Sequence, residues 1–307
     1  MITVRINSNG LGNQMFQYAV GRSWADKTND VLTLDCRDFN SFRLREKIGY
    51  FPWLRSGMLD QGSPRNYALS SFRVRAYPAN SMDLVWRGFL NTRKLRNGFQ
   101  SLFRLRGNLI REKSFGYAPL PVDPGGFNYL EGRWQSWKYF SWNRKRLISD
   151  FSLKEAPRPE NARRLREIEG RNSICLHVRL GDYATSIGAL NHLGVLRREY
   201  FRKAMAKLKG RISKPHYFLF SDEPQKAVQL LNLRSNLTIV DNNGKEPQED
   251  LRLMKSCKNF IISNSTFSWW AAWLSTHSGK RVIAPLEWFS GIKENTEDLI
   301  PPEWIRI

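Results

Sequence analysis

The run Cys175-Leu176-His177-Val178-Arg179-Leu180-Gly181-Asp182-Tyr183 sets a histidine, an arginine and a carboxylate within six positions. Ile174, Leu176 and Val178 alternate with Cys175, His177 and Arg179, which predicts a short strand with two distinct faces. Gly181-Asp182 then stops the strand in a tight turn. In a parallel α/β sheet, ligands sit just beyond the carboxyl ends of the strands. An Arg, a His and an Asp crowded there suit a phosphorylated ligand, because a guanidinium fork grips phosphate oxygens in a fixed geometry. The same residues also fit a plainer arrangement, a buried imidazole beside a structural Arg–Asp pair.

Two further groups point the same way. Phe260-Ile261-Ile262-Ser263 reads as a strand that runs into Asn264-Ser265-Thr266-Phe267-Ser268, then into a helix carrying Trp269, Trp270, Trp273 and Leu274. Small hydroxyl and amide residues at such a turn leave backbone N–H groups at the positive end of a helix, an arrangement that binds phosphate. Ordinary N-capping by Ser265 or Thr266 is the competing reading. Upstream, Asp250 opens a helix, where a carboxylate can accept from both N1–H and N2–H of guanine, donors that uracil lacks. Charge compensation at the helix start is its plainer role. At the other end of the chain, Gly10-Leu11-Gly12-Asn13-Gln14 offers close backbone approach, with the Asn13 and Gln14 amides at its mouth. It resembles a dinucleotide loop only loosely, since Met15 stands where the third glycine would be.

These groups need strands and helices to present them. The first half opens with a strand over 2–6, a helix through about Lys27 burying Met15, Ala19, Val20 and Trp24, and a strand over 31–34. A further strand over 127–130 leads into Trp134-Gln135-Ser136-Trp137. Residues 42–126 are irregular and rich in Arg, Gly and aromatics. Ala156-Pro157-Arg158-Pro159 interrupts the pattern and marks a linker, giving domains over 1–155 and 156–307. In the second, strands near 173–179, 216–221, 237–240, 260–263 and 282–284 alternate with helices near 198–209, 224–232, 247–257 and 267–276, which implies a doubly wound parallel sheet.

Charge is the other strong signal, at +21 overall with a pI near 10.2. Between Phe42 and Arg146 there are 20 Lys or Arg against six Asp or Glu. Such a field draws nucleic acid, anionic lipid or an acidic ligand. The basic residues are mixed with Trp, Phe, Pro and Gly, and no zinc-finger, RNP-like or basic-zipper pattern occurs, which argues against nucleic acid. A basic domain working beside an anionic membrane surface or ligand fits better. No stretch approaches the roughly 18 apolar residues of a membrane span, and the first residues lack a basic n-region, so a cytoplasmic protein is expected. Cys36, Cys175 and Cys257 have no metal-ligand spacing and read as reduced core thiols. No Asp-x-Asp triplet occurs, so neither a metal nor another cofactor is expected.

Five stretches in order carry a family resemblance: Gly-Leu-Gly-Asn-Gln-Met-Phe-Gln over 10–17, Trp134-Gln135-Ser136-x-Lys138-Tyr139-Phe140, His177-x-Arg179-x-Gly181-Asp182-Tyr183, Phe220-Ser221-Asp222, and Ser263 through Ala271. Together the chain resembles the α-1,2-fucosyltransferases of glycosyltransferase family 11. The resemblance implies a GT-B-like α/β fold, with two Rossmann-like domains facing across a cleft and the nucleotide sugar in the C-terminal one. It implies metal-independent, inverting transfer of fucose from GDP-fucose to the 2-hydroxyl of a terminal galactose in a glycan. By the same resemblance Arg179 holds the β-phosphate, His177 shapes that pocket, Asp250 reads guanine, Ser265, Thr266, Phe267 and Ser268 line the diphosphate, and Asn13 faces the sugar donor. Asp182 is the nearest carboxylate for a base, or orients Arg179; Trp134 and Gln135 fall on the acceptor side. Two departures stand out: Leu180 takes the second place of an Arg-Arg pair, and Trp137 stands where the family is often polar or acidic. A related transferase using another GDP-sugar is the neighbouring reading.

Overall fold

Parallel strand pairing organises both halves of the chain. The computed structural model describes residues 1–7, 10–39, 67–79, 107–181, 194–233, 235–244, 246–289 and 294–307. They divide into two units, Met1–Ser152 and Leu153–Ile307.

The first unit holds β1 (Ile2–Arg5), α1 (Leu11–Thr28), β2 (Leu32–Asp35), β3 (Tyr77–Pro78), β4 (Gly107–Arg111), β5 (Phe127–Glu131) and the short α2 (Arg144–Asp150). Its five strands lie in the order β3-β2-β1-β5-β4, every neighbouring pair parallel. Ile2 and Val4 of β1 are wholly buried, and Gly21 lets α1 lie against that strand, since a Cβ there would come within 2.2 Å of Val4 Cγ2. The single buried face expected for α1 is too narrow. Met15, Ala19 and Val20 are buried, but so are Gln14, Gln17 and Ser23, while Trp24 is half-buried. Polar side chains survive inside because they satisfy backbone groups. Gln14 Oε1 accepts from the Ala68 N–H, and Gln17 donates to the Gly132 carbonyl while accepting from the Asn7 N–H.

The second unit runs α3 (Pro159–Gly170), β6 (Asn172–Val178), α4 (Arg198–Leu208), β7 (Pro215–Ser221), α5 (Pro224–Leu231), β8 (Leu237–Val240), α6 (Pro247–Ser256), β9 (Asn259–Ile261), α7 (Thr266–Leu274), β10 (Val282–Ala284) and β11 (Ile305–Arg306). The sheet order is β11-β10-β9-β6-β7-β8, again all parallel. Ile174, Leu176 and Val178 form a core with Tyr200, Phe201 and Ala204 of α4 and Ala227 and Leu231 of α5. Cys175 and His177 alternate onto the opposite face, as period 2 requires. Trp269 and Trp270 of α7 are wholly buried, and Lys280 Nζ donates to the Ala272 and Ser275 carbonyls at that helix's end. A cation there satisfies orphan carbonyls and complements the helix dipole.

The chain thus has the expected α/β class. The stretch read as a linker is more than a break, because Pro159 starts α3, where its missing N–H costs nothing. Cys175 and Cys257 are free and buried, and Cys36 is free and half-buried, its thiol pushed up to about 12 chiefly by burial. Among the described residues, no helix is long and apolar enough to cross a membrane.

Candidate functional site

The register of β6 on β7 pairs His177 with Phe220 and Val178 with Ser221, so Arg179 emerges level with Asp222. Arg179 Nε lies 3.2 Å from Asp222 Oδ2. Asp222 also accepts from the Leu180 N–H on Oδ1 (2.9 Å) and from the Gly181 N–H on Oδ2 (2.8 Å). One carboxylate therefore fixes both a guanidinium and the backbone that follows it. Asp182 lies outside the described residues. The described carboxylate beside Arg179 is Asp222, which sequence reasoning placed only inside the Phe220-Ser221-Asp222 stretch without a role.

Gly181 is part of this fixture. A Cβ there would stand 2.6 Å from Asp222 Oδ2 and 3.3 Å from its Cγ, too close for the carboxylate to stay. Gly181→Ala is expected to lower kcat/KM by roughly 10–100-fold, the scale of loss when a reacting constellation shifts by about an ångström. Steady-state kinetics beside a melting curve checks it. An unchanged kcat/KM would mean that Asp222 need not sit where it does.

His177 is buried, its Nδ1 2.6 Å from Ser263 Oγ and its ring centroid 6.0 Å from that of Phe267. Burial lowers its pKa to about 3, the Arg179 charge adds to the effect, and Asp222 opposes it. At that value the imidazole is neutral at physiological pH, with Nδ1 engaged to the Ser263 hydroxyl.

The turn into α7 is largely occupied with its own shape. Ser265 caps the helix, accepting from the Phe267 N–H, and the buried Ser268 hydroxyl donates to the Ser265 carbonyl at 3.2 Å. Asn264 Nδ2 donates to the Trp288 carbonyl at 3.2 Å. Thr266 and Phe267 are the half-exposed members. The Ser268 hydroxyl is spent on the Ser265 carbonyl, whereas Thr266 and the Ser265 O–H keep donor capacity at the turn.

Asp250 stands in the first turn of α6, which follows β8 and so begins at the carboxyl edge of the sheet. Its Oδ1 accepts from Asn243 Nδ2 at 2.7 Å. Burial pushes its pKa up to about 6; the Asn243 hydrogen bond opposes this and the Glu249 charge adds to it. Asn243 was not anticipated from sequence.

In the first unit, Gln135 Nε2 donates to Asn13 Oδ1 at 2.9 Å, joining two residues taken from separate stretches. Trp134 is buried, so its ring gives no platform for a sugar; it packs edge-on against Tyr139 with centroids 5.7 Å apart. Its φ of +57° is left-handed, a conformation that costs a bulky residue about 1–3 kcal/mol. Glu112 holds it there, accepting from the Arg133 and Trp134 N–H groups at 2.7 and 3.0 Å. Trp134 shapes the bend that delivers Gln135.

The model of glycosyl transferase family 11 matches residues 110–307. The O-antigen biosynthesis glycosyltransferase WbnK of Escherichia coli is 37% identical, over 98% of this chain and 98% of its own. An α-1,2-colitosyltransferase of Escherichia coli is 29% identical, over 100% of this chain and 99% of its own. Among solved structures, the fucosyltransferase NodZ from Bradyrhizobium is 17% identical with a TM-score of 0.46, over 88% of this chain and 91% of its own. A family match spanning most of the chain, together with WbnK at full length, settles the membership: this chain belongs to glycosyltransferase family 11.

Proposed function

We propose that this glycosyltransferase moves a 6-deoxyhexose, fucose first among them, from its GDP-sugar to the 2-hydroxyl of a terminal galactose, with inversion and without a metal ion. The observation that carries this reading is Arg179 clasped by Asp222 at the end of β6. Glycosyl transfer gathers negative charge on the departing diphosphate while the sugar becomes oxocarbenium-like. A guanidinium held in place before the reaction stabilises that charge with little reorganisation. The first-turn N–H groups of α7 add a positive helix end at the same sheet edge.

In this proposal Asp250 reads the base and the α7 turn takes the diphosphate. Asp222 already holds Arg179, so we assign the acceptor hydroxyl to Asp182. The absence of an Asp-x-Asp triplet supports metal independence. Activity should stay within about two-fold of its starting value in excess EDTA. Complete loss, restored by Mn²⁺ alone, would overturn the leaving-group mechanism.

A second reading, transfer of colitose, is favoured by the likeness to the α-1,2-colitosyltransferase at 29% identity. Colitose is fucose without its 3-hydroxyl, so one pocket contact separates the two. Product formation from GDP-fucose and GDP-colitose against a panel of galactosides decides between them. No transfer from either to any galactoside would remove both.

A further inference from the structure

Asp250 is backed by a chain of buried amides whose direction is dictated by chemistry. Asn243 Nδ2 donates to Asp250 Oδ1 at 2.7 Å, and Asn243 Oδ1 in turn accepts from Asn161 Nδ2 at 2.9 Å. The Asn161 amide group also donates to Glu249 Oε2 at 2.8 Å, and Asn161 Oδ1 accepts from Asn242 Nδ2 at 3.0 Å. Glu249 is anchored from its far side by Arg252 Nε and Nη2, each at 3.1 Å. Asn161, Asn243 and Glu249 are all buried.

An asparagine side chain can face a neighbour with its oxygen or its nitrogen, and only the surroundings decide which. Glu249, already paired with Arg252, offers acceptors and no donor. Turning Asn161 over would press its carbonyl against that carboxylate. Asn161 must therefore present its NH₂ group inward, which obliges Asn243 to offer its oxygen to Asn161 and its NH₂ to Asp250. The last link is the one that matters to a ligand. Asp250 Oδ1 is held from behind, while Oδ2 has no hydrogen-bond partner among the described residues. A carboxylate fixed in this attitude can accept the two adjacent donors of guanine.

We infer that Asn161, three positions into α3, is a positioning residue for base choice, acting on Asp250 through Asn243. The inference rests on the reading of Asp250 as the guanine contact. Asn161 touches no ligand. With its amide gone, Asn243 Oδ1 keeps only the long contact from Asn242 Nδ2 at 3.4 Å, so the amide that holds Asp250 Oδ1 is itself less firmly placed and the carboxylate shifts with it. The ends of α3 and α6 are also tied by the ion pair of Arg158 with Glu246 and by Arg252 Nη2 donating to the Glu155 carbonyl at 2.6 Å. Those contacts hold α3 in register without Asn161, so the fold has support independent of the amide chain.

The test is calorimetric titration of GDP and UDP into the full chain, the Asn161→Ala variant, the Glu249→Gln variant, the Asp250→Asn variant and the Asn161→Ala/Asp250→Asn double variant. Glu249→Gln keeps the shape but removes the rule of direction, since a Gln amide can donate or accept, and it serves if Asn161→Ala does not fold. We expect Asn161→Ala and Glu249→Gln each to lower GDP affinity about 5–10-fold with UDP affinity within two-fold. In the Asp250→Asn background, Asn161→Ala should cost nothing further, which is the signature of two residues acting through one contact. A purely structural Asn161 would weaken GDP and UDP alike, or add its loss in full to the double variant; either result overturns the inference. If Asp250→Asn itself leaves the GDP-to-UDP ratio unchanged, the base-reading assignment fails. If Asp250→Asn collapses the ratio while both positioning variants keep it, the assignment stands and the inference alone falls.

Discussion

Arg179→Ala should lower kcat for sugar transfer by about 10²–10³-fold, a loss of roughly 3–4 kcal/mol of transition-state stabilisation. The arithmetic follows from where the charge develops. The sugar donor arrives with its diphosphate already charged, so part of Arg179's attraction is spent on binding; the remainder grows as the glycosidic bond opens, and only that part speeds the reaction. Leu180 in the neighbouring position supplies no second cation to share the task. The fold should hardly notice. Arg179 and Asp222 are only partly buried, and exposed pairs of this kind contribute about 0–1 kcal/mol. Asp222 would still receive the Leu180 and Gly181 N–H groups. Arg179→Lys should also be poor, because an ammonium cannot contact Asp222 and two phosphate oxygens with one planar fork. Kinetics with saturating acceptor, read against melting temperature, decides it. A kcat within a few-fold of the parent protein would remove Arg179 from the leaving-group role.

Asp250→Asn is expected to do two things in opposite directions. It should erode the preference for GDP over UDP by about 1–3 kcal/mol, because an amide accepts one guanine donor and turns an N–H toward the other. It should also raise the melting temperature. Burial and Glu249 raise the pKa of Asp250 from 3.8 to about 6, so the folded state holds its proton more tightly than the unfolded chain does. Stability from this group is therefore full below the unfolded value and declines as pH rises from about 4 through about 6, leaving a deficit on the order of 2–3 kcal/mol at pH 7. The neutral amide escapes that deficit and gives up about 0.3–1 kcal/mol of favourable charge at the start of α6. The net gain should appear as a rise of several degrees at pH 7 that vanishes near pH 4. A lowered melting temperature with an unchanged GDP-to-UDP ratio would make Asp250 a helix residue and nothing more.

How far the sequence carried depended on the range of each interaction. The end of β6 and the turn into α7 were legible because strand alternation, a glycine stop and a run of capping residues are local signals. The pairing of Arg179 with Asp222 was not, since it depends on β6 lying beside β7 in one particular register across about 40 residues of chain. Helix α3 was missed for another reason: it buries only Asn161 and Ile168, so it has no apolar stripe to read, and Pro157 and Pro159 look like a break. Strand β3 is two exposed residues ending in proline, recognisable only from its partner β2. Trp134 shows the limit of residue type, since its stretch set it on the acceptor side with Gln135, and the ring above a left-handed turn is buried.

The one-way sense of the amide chain has an evolutionary consequence. Replacing Asn161, Asn243 or Glu249 singly leaves a buried donor or acceptor without its partner, so the three should change together. A lineage that adopts a different nucleotide at this site would have to cross that barrier in several substitutions. Sequence drift that spares these three residues should leave the base preference in place.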